Sequence, residues 1–205
     1  RRGHSPDDDY WRFLVELVDV AAERWSEPDR GIWDIRGKPR HFVHSKVMCW
    51  SALDRGIELA RECLRKAPVQ RWKRVRKEIH DAVMTQGVDR RRKVFVQAFG
   101  SHQLDASLAI LPMVEFLKFD DPLMVRTADA ILAELQENGL ILRYRVDETG
   151  DGLRGEEGTF LACSFWLAEV LARQGRLGKT APTYATYFHT STVFAPRREQ
   201  KKDFF

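Results

Sequence analysis

The sequence predicts an all-α fold, part of an α/α toroid in which inner helices alternate with outer ones. Three observations predict it. Apolar residues recur at spacings of three and four over six successive segments. Long and short connections between those segments alternate. Two of the segments that follow long connections are apolar on nearly every side, the mark of a helix buried all round. In helices that run up and down, alternate connections fall at the same end, so the long ones gather on one face. A plain six-helix bundle is the competing arrangement.

The first helix is expected over 7–25. Ser5-Pro6 and three following Asp supply a cap, a first-turn proline and acids at the positive end of the helix dipole. Tyr10, Phe13, Leu14, Leu17, Val18, Ala21 and Trp25 then share a face. The second is expected over 43–66, with Val47, Trp50, Leu53, Ile57, Ala60 and Leu64 inward, ended by Ala67-Pro68. The third, 70–86, places Trp72, Val75, Ile79, Ala82 and Val83 inside. The fourth, "LDASLAILPMVEFL" at 104–117, and the sixth, "TFLACSFWLAEVLARQ" at 159–174, are the segments read as buried all round. The fifth, 122–137, starts at Asp121-Pro122, and Gly139 stands where a C-terminal glycine cap belongs.

Composition narrows the class. The 205 residues carry a net charge of +4, with 43% hydrophobic and 31% charged residues. That is the profile of a folded globular chain, far less basic than a dedicated nucleic-acid binder. Helix three and "DRRRK" at Asp89–Lys93 are nonetheless basic, so a helical nucleic-acid module is a rival reading. Against it, Arg71, Lys73, Arg74 and Lys77 fall opposite the apolar face, as on a solvated outer helix. Cys49, Cys63 and Cys163 form no C-x-x-C and are odd in number, which suits free thiols in a reducing compartment, the cytoplasm. No apolar run reaches the roughly 18 residues of a membrane span, so no membrane partner is expected. The N-terminus lacks the apolar core of a signal peptide and enters a helix at once, as a chain entered mid-protein would.

The long connections carry the chemistry. The first holds Trp33, Asp34, Arg36, Arg40, His41 and His44; the second Phe95, Phe99, Ser101, His102, Gln103 and Asp105; the third Tyr144, Arg145, Arg154, Glu156 and Glu157. Loops this long are uncommon without a function. Aromatics, carboxylates and Arg on one concave face suit an oligosaccharide or disaccharide. Sugar rings stack on indoles, and their hydroxyls bond to Asp, Glu and Arg. A carboxyl set against Trp also loses hydration, which favours a proton-donating role. His41 and His44 lack an evident third ligand, so no metal and no other cofactor is expected. Each residue has a plainer role open to it. Trp33 could anchor the loop, Asp34 could pair with Arg36 or Arg40, and Glu156 and Glu157 could be the acids of a helix N-terminus.

"RGIWDIRGKPRHFVHSKVMCWSALDRG", "FVQAFGSHQLDASLAILP" and "RGEEGTFLACSFWLAEVLARQGR" resemble glycoside hydrolase family 15, the bacterial glucoamylase, glucodextranase and trehalase group. The resemblance covers about Tyr10 to Arg176. It implies an (α/α)6 toroid of the six-hairpin glycosidase type, here about three hairpins of it, and hydrolysis of α-glucosidic bonds with inversion. It places the general acid directly after the loop-one Trp, a Glu in the family and Asp34 here. It makes Trp33, Arg36, Arg40, His41, Asp105, Glu156 and Glu157 candidate substrate contacts. The family's general base, a Glu farther along, has no match in this sequence. Residues 1–176 are therefore expected to form a partial catalytic domain. Residues 177–205, without helical or strand periodicity, are expected to be a truncated or frame-shifted tail, poorly packed and early to be cleaved. Glu199 stands at about the right distance for the base but in unmatched surroundings. With Asp34 short and a base absent, slow or no hydrolysis is expected. A non-catalytic carbohydrate-binding remnant is the alternative, and the choice among maltooligosaccharides, isomalto-linkages and trehalose stays open.

Overall fold

The structure is a computed structural model that describes residues 6–145 and 159–176. These residues form five α-helices, two short antiparallel hairpins and one 3-10 segment. Helices α1 (Asp8–Arg24), α2 (Val43–Glu62) and α3 (Val69–Gln86) pack together. Asp7 caps α1 by accepting from the Tyr10 amide at 2.8 Å. The inner role expected of α2 holds: Val43, Val47 and Leu53 are wholly buried. Gly56 on the same helix lets α1 and α3 approach. A Cβ there would stand 2.9 Å from Val18 Cγ2 and 3.2 Å from the Trp72 ring.

The outer helices differ from expectation in which residues they bury. In α1 the buried set is Trp11, Val18 and Ala22, while Tyr10, Phe13 and Leu17 are about half exposed. The inward stripe is thus rotated from the one the apolar count suggested. In α3 Trp72, Val75, Ile79 and Val83 are inside and Lys73, Arg74 and Lys77 outside, as expected, but Ala82 is only half-buried and Arg71 turns to α1, where it pairs with Asp19 and Glu23. The outer cations are matched locally, Lys77 with Asp81 and Arg74 with Glu78.

Three boundaries need correction. Helix α2 ends at Glu62 rather than 66, because Leu64 takes a left-handed turn (φ 52°) and lies in solvent. Segment 104–117 is not an α-helix. It opens as a 3-10 turn, Ala106–Ile110, and continues through turns with three-residue bonds such as Met113 N to Ile110 O at 2.9 Å. Pro112 has no N–H to offer an α-helical carbonyl, and Glu115 (φ 64°) reverses the chain. Most of its apolar residues are buried, Leu108 and Leu111 completely, while Ile110, Met113, Val114 and Leu117 are half-buried rather than enclosed all round. Helix α4 (Pro122–Leu135) starts at the Asp121 cap as read, but stops before Gly139. Asn138 (φ 48°) and Gly139 (φ 83°) are the two central residues of a hairpin turn joining β3 (Gln136–Glu137) to β4 (Leu140–Ile141). Positive φ at both is the type I′ signature of Asn-Gly.

Helix α5 (Leu161–Arg173) buries Cys163, Leu167, Val170 and Leu171 against the 3-10 segment. It is not buried all round. Leu161 and Phe165 are half exposed, because no described element lies over that side.

The long connections meet at one end. Phe42 pairs with Ala98, and Asp29 with Arg40, as isolated β-bridges. Ile35 and Phe42 of the first loop, Ala98 of the second and Tyr144 of the third make one small apolar cluster that Trp33 joins. The second loop is braced by the hairpin β1 (Val88–Asp89) with β2 (Val94–Phe95) and by the buried Thr127 hydroxyl, which accepts from Phe95 N at 3.0 Å. At the opposite end Trp11 Nε1 donates to Lys66 O and Gln174 Nε2 to Phe119 O. The long–short alternation therefore did locate the faces.

Candidate active site

The first loop is tied down at its base by Asp29. The Asp29 carboxylate accepts from Gly31 N at 2.6 Å and from Ser45 Oγ at 2.7 Å, and lies 3.6 Å from Lys46 Nζ. Lys46 is buried within α2 and also donates to Glu27 O. Its burial pushes its pKa down, and Asp29 pulls the other way. Arg30 closes the loop from within, donating to Ile35 O and Gly37 O at 3.1 and 3.0 Å. Gly31 (φ 71°) is needed there: a Cβ would meet the Phe42 ring at 3.0 Å.

At the tip stand Trp33 and Asp34. Trp33 Nε1 donates to both Asp105 oxygens at 3.0 Å. Its ring meets Phe160 edge-on at 5.7 Å and Trp166 at 6.0 Å, and the Arg143 guanidinium stands over it at 5.4 Å. Asp34 is exposed, in the left-handed region at φ 48° that Asp tolerates better than most residues. Its carboxylate pairs with neither Arg36 nor Arg40, and it is not desolvated against Trp33 as a proton donor beside an indole was expected to be.

The other candidates are placed as follows. Arg36 is exposed. Arg40 reaches Gln103 Oε1 at 3.5 Å, and His41 stacks on Phe99 at 5.8 Å, so both bridge loops one and two. Asp105 is only 2% exposed. It accepts from Gln97 Nε2 at 3.1 Å and Ser107 N at 2.8 Å besides Trp33. Glu156, Glu157 and the 177–205 tail lie outside the described residues.

Sequence reasoning missed Asp29, Lys46 and Gln97; it named His44, but only as half of a His pair without a third ligand. Lys46 was findable: it interrupts the apolar spacing of Val43, Val47 and Trp50, and a buried Lys needs a carboxylate partner. His44 Nδ1 and Gln97 Oε1 are buried without a hydrogen-bond partner. Burial pushes the His44 pKa down, with Asp105 and then Asp29 opposing. A His pKa lowered by folding makes the unfolded chain the better proton binder. Stability is therefore full above the ordinary value of about 6.5 and falls as pH drops from there through the folded value. His44→Gln is expected to flatten that part of a melting-temperature profile between roughly pH 5 and 7. An unchanged slope would place the acid sensitivity elsewhere.

Hairpins of inner and outer helices, with the first two loops and the described start of the third meeting around Trp33, mark the fold as part of an α/α toroid of the six-hairpin glycosidase type. A solved glycosidase variant shares it at TM-score 0.66 and 21% identity, over 84% of this chain and 50% of that one. A glycosidase solved in complex with glucose does so at TM-score 0.64 and 19% identity, with the same shares. The sequence profile of glycosyl hydrolases family 15 matches residues 1–197, and the chain belongs to that family. The match runs past Arg176, into the segment expected to be unrelated. Similar curated proteins include the trehalase of Mycobacterium tuberculosis, 49% identical over 172 residues, and that of Thermoplasma acidophilum, 41% over 168. The alignments take in 84% and 82% of this chain but 25% and 28% of those proteins, so the chain spans about a quarter of their length.

Proposed function

We propose that the protein hydrolyses α-glucosidic bonds with inversion, with trehalose as substrate. The observation that carries the reading is the Asp34 carboxyl, exposed at the tip of a braced loop beside Trp33, at the position where the family places its acid. The trehalase relatives support the choice of substrate.

In this mechanism Asp34 protonates the glycosidic oxygen as the bond to the anomeric carbon breaks. A second carboxylate, roughly 6.5–9.5 Å away, takes a proton from the attacking water on the opposite face. Arg36, Arg40 and His41, with Glu156 and Glu157, are the proposed hydroxyl contacts, and Trp33 walls the cleavage subsite. None of the three cysteines is joined in a disulfide, which suits the cytoplasm.

Proton NMR of the natural protein acting on trehalose, maltose and isomaltose tests this. Inversion delivers one β- and one α-glucose from each trehalose before mutarotation. Two α-glucoses, or no turnover of any of the three, would refute the reading; the second outcome with retained sugar binding would leave a carbohydrate-binding remnant.

A further inference from the structure

We propose that Asp105 is a positioning residue that holds the Asp34 acid in place through the Trp33 indole. The chemical part of this rests on the function proposed above; the clamp itself rests on geometry alone. Trp33 and Asp34 are adjacent, so whatever fixes the Trp33 ring fixes the point from which the Asp34 side chain departs. Both oxygens of Asp105 receive the indole N–H at 3.0 Å. Asp105 is itself held from several sides. It caps the 3-10 segment through Ser107 N, takes a third donor from the buried Gln97, and its neighbour Ala106 N bonds to Arg143 O at 2.8 Å. At 2% exposure it offers no surface to a sugar hydroxyl, so its role is exercised on the loop and not on the substrate.

The carboxylate is the fitting acceptor for this task. Three N–H donors converge on it, and a carboxylate has about four lone-pair sites and no competing hydrogen. An amide in its place keeps the shape but surrenders one acceptor oxygen. The ring could then tilt and carry Asp34 with it. A shift of about 1 Å in a proton donor can cost two orders of magnitude in rate.

Asp105→Asn, Trp33→Phe and the double variant of the natural protein are compared on two substrates, trehalose and α-glucosyl fluoride. Fluoride leaves without a proton, so only trehalose needs the acid. Asp105→Asn is expected to lower kcat on trehalose by about tenfold or more, with KM and fluoride turnover changed less than about threefold; Trp33→Phe, at a residue that walls the subsite, is expected to show at least the same kcat loss on trehalose. The double should be no worse than the worse single, since both remove one contact. Equal losses on both substrates would overturn the proposal by showing a general structural role. A raised KM with unchanged kcat would overturn it in favour of direct substrate contact. Hydrogen exchange separates the clamp from the chemistry. Amides of 30–37 should exchange about tenfold faster in either variant while those of α3 keep their rates. If the unmodified protein turns over neither substrate, the functional reading fails and exchange alone decides the clamp. Unchanged exchange at 30–37 overturns it. Trp33→Phe keeps the test intact should Asp105→Asn fail to fold.

Discussion

Asp34→Asn is expected to lower kcat on trehalose by about 10²–10⁴, the usual share of a general acid, and to leave the fold unchanged. Asn matches Asp in size and is at home in the left-handed region that position 34 occupies (φ 48°), so no backbone strain is added. The carboxylate is exposed and forms no ion pair with Arg36 or Arg40, so no stabilising contact is lost. The variant therefore removes a proton donor and little else. The opposite change, Asp34→Glu, lengthens the stem by one methylene, about 1.5 Å. In a chain completed by a family-like C-terminal part that supplies the base, that brings the acid nearer the glycosidic oxygen and is expected to raise kcat at least about tenfold, since misplacement of about 1 Å can cost a hundredfold; on its own the change is not expected to restore turnover. Glu is less suited to the left-handed backbone, so a stability loss of up to about 1 kcal/mol should accompany the gain. Steady-state kinetics with melting temperatures for the three proteins check both. A kcat for Asp34→Asn within about twofold of the parent would mean that the proton comes from elsewhere, Glu156 and Glu157 being the first places to look.

The loop face and the inner helix were legible because both follow from counting. The lengths of the joints alternate, and the apolar spacing of Val43, Val47 and Leu53 leaves few other solutions. Segment 104–117 was misread because burial and helicity share a signal: a run apolar on all sides marks the interior whatever its backbone does. Pro112 within the run was the correcting evidence. Asn138-Gly139 was misread for a similar reason. Glycine ends helices and turns hairpins alike, and it is the preceding Asn that distinguishes them. In the candidate site, Trp33 and Asp34 were singled out through local sequence. The bond from Trp33 to Asp105 was not, because it is a contact across 72 positions that spacing does not encode. Asp29 escaped for the same reason: it is an ordinary polar residue until Lys46, which the broken apolar spacing of α2 marks, is seen beside it.

Trp72→Ala is expected to cost about 3–5 kcal/mol of stability, the range for deleting a large buried aromatic. Trp72 is wholly buried between α1, α2 and α3, and its ring lies against the space that Gly56 leaves open. Two effects add. The ring's apolar surface and contacts disappear, leaving a cavity that close-packed neighbours can only partly fill. The indole N–H to Asp19, 2.8 Å long, is lost as well, though Arg71 at 3.3 Å still attends that carboxylate. Against a typical total of about 5–15 kcal/mol, this loss takes a large share. It should lower the melting temperature by about 6–20 °C at roughly 2–4 °C per kcal/mol. Trp72→Phe separates the two effects. It keeps most of the apolar contact and drops the N–H, so about 1–2 kcal/mol is expected. Denaturant titration of parent and variants measures both. Trp72→Ala within about 1 kcal/mol of the parent would show that α1, α2 and α3 do not unfold as one packed unit. The site would then rest on a scaffold that loosens piecemeal, and activity would be lost at temperatures below the main melting transition.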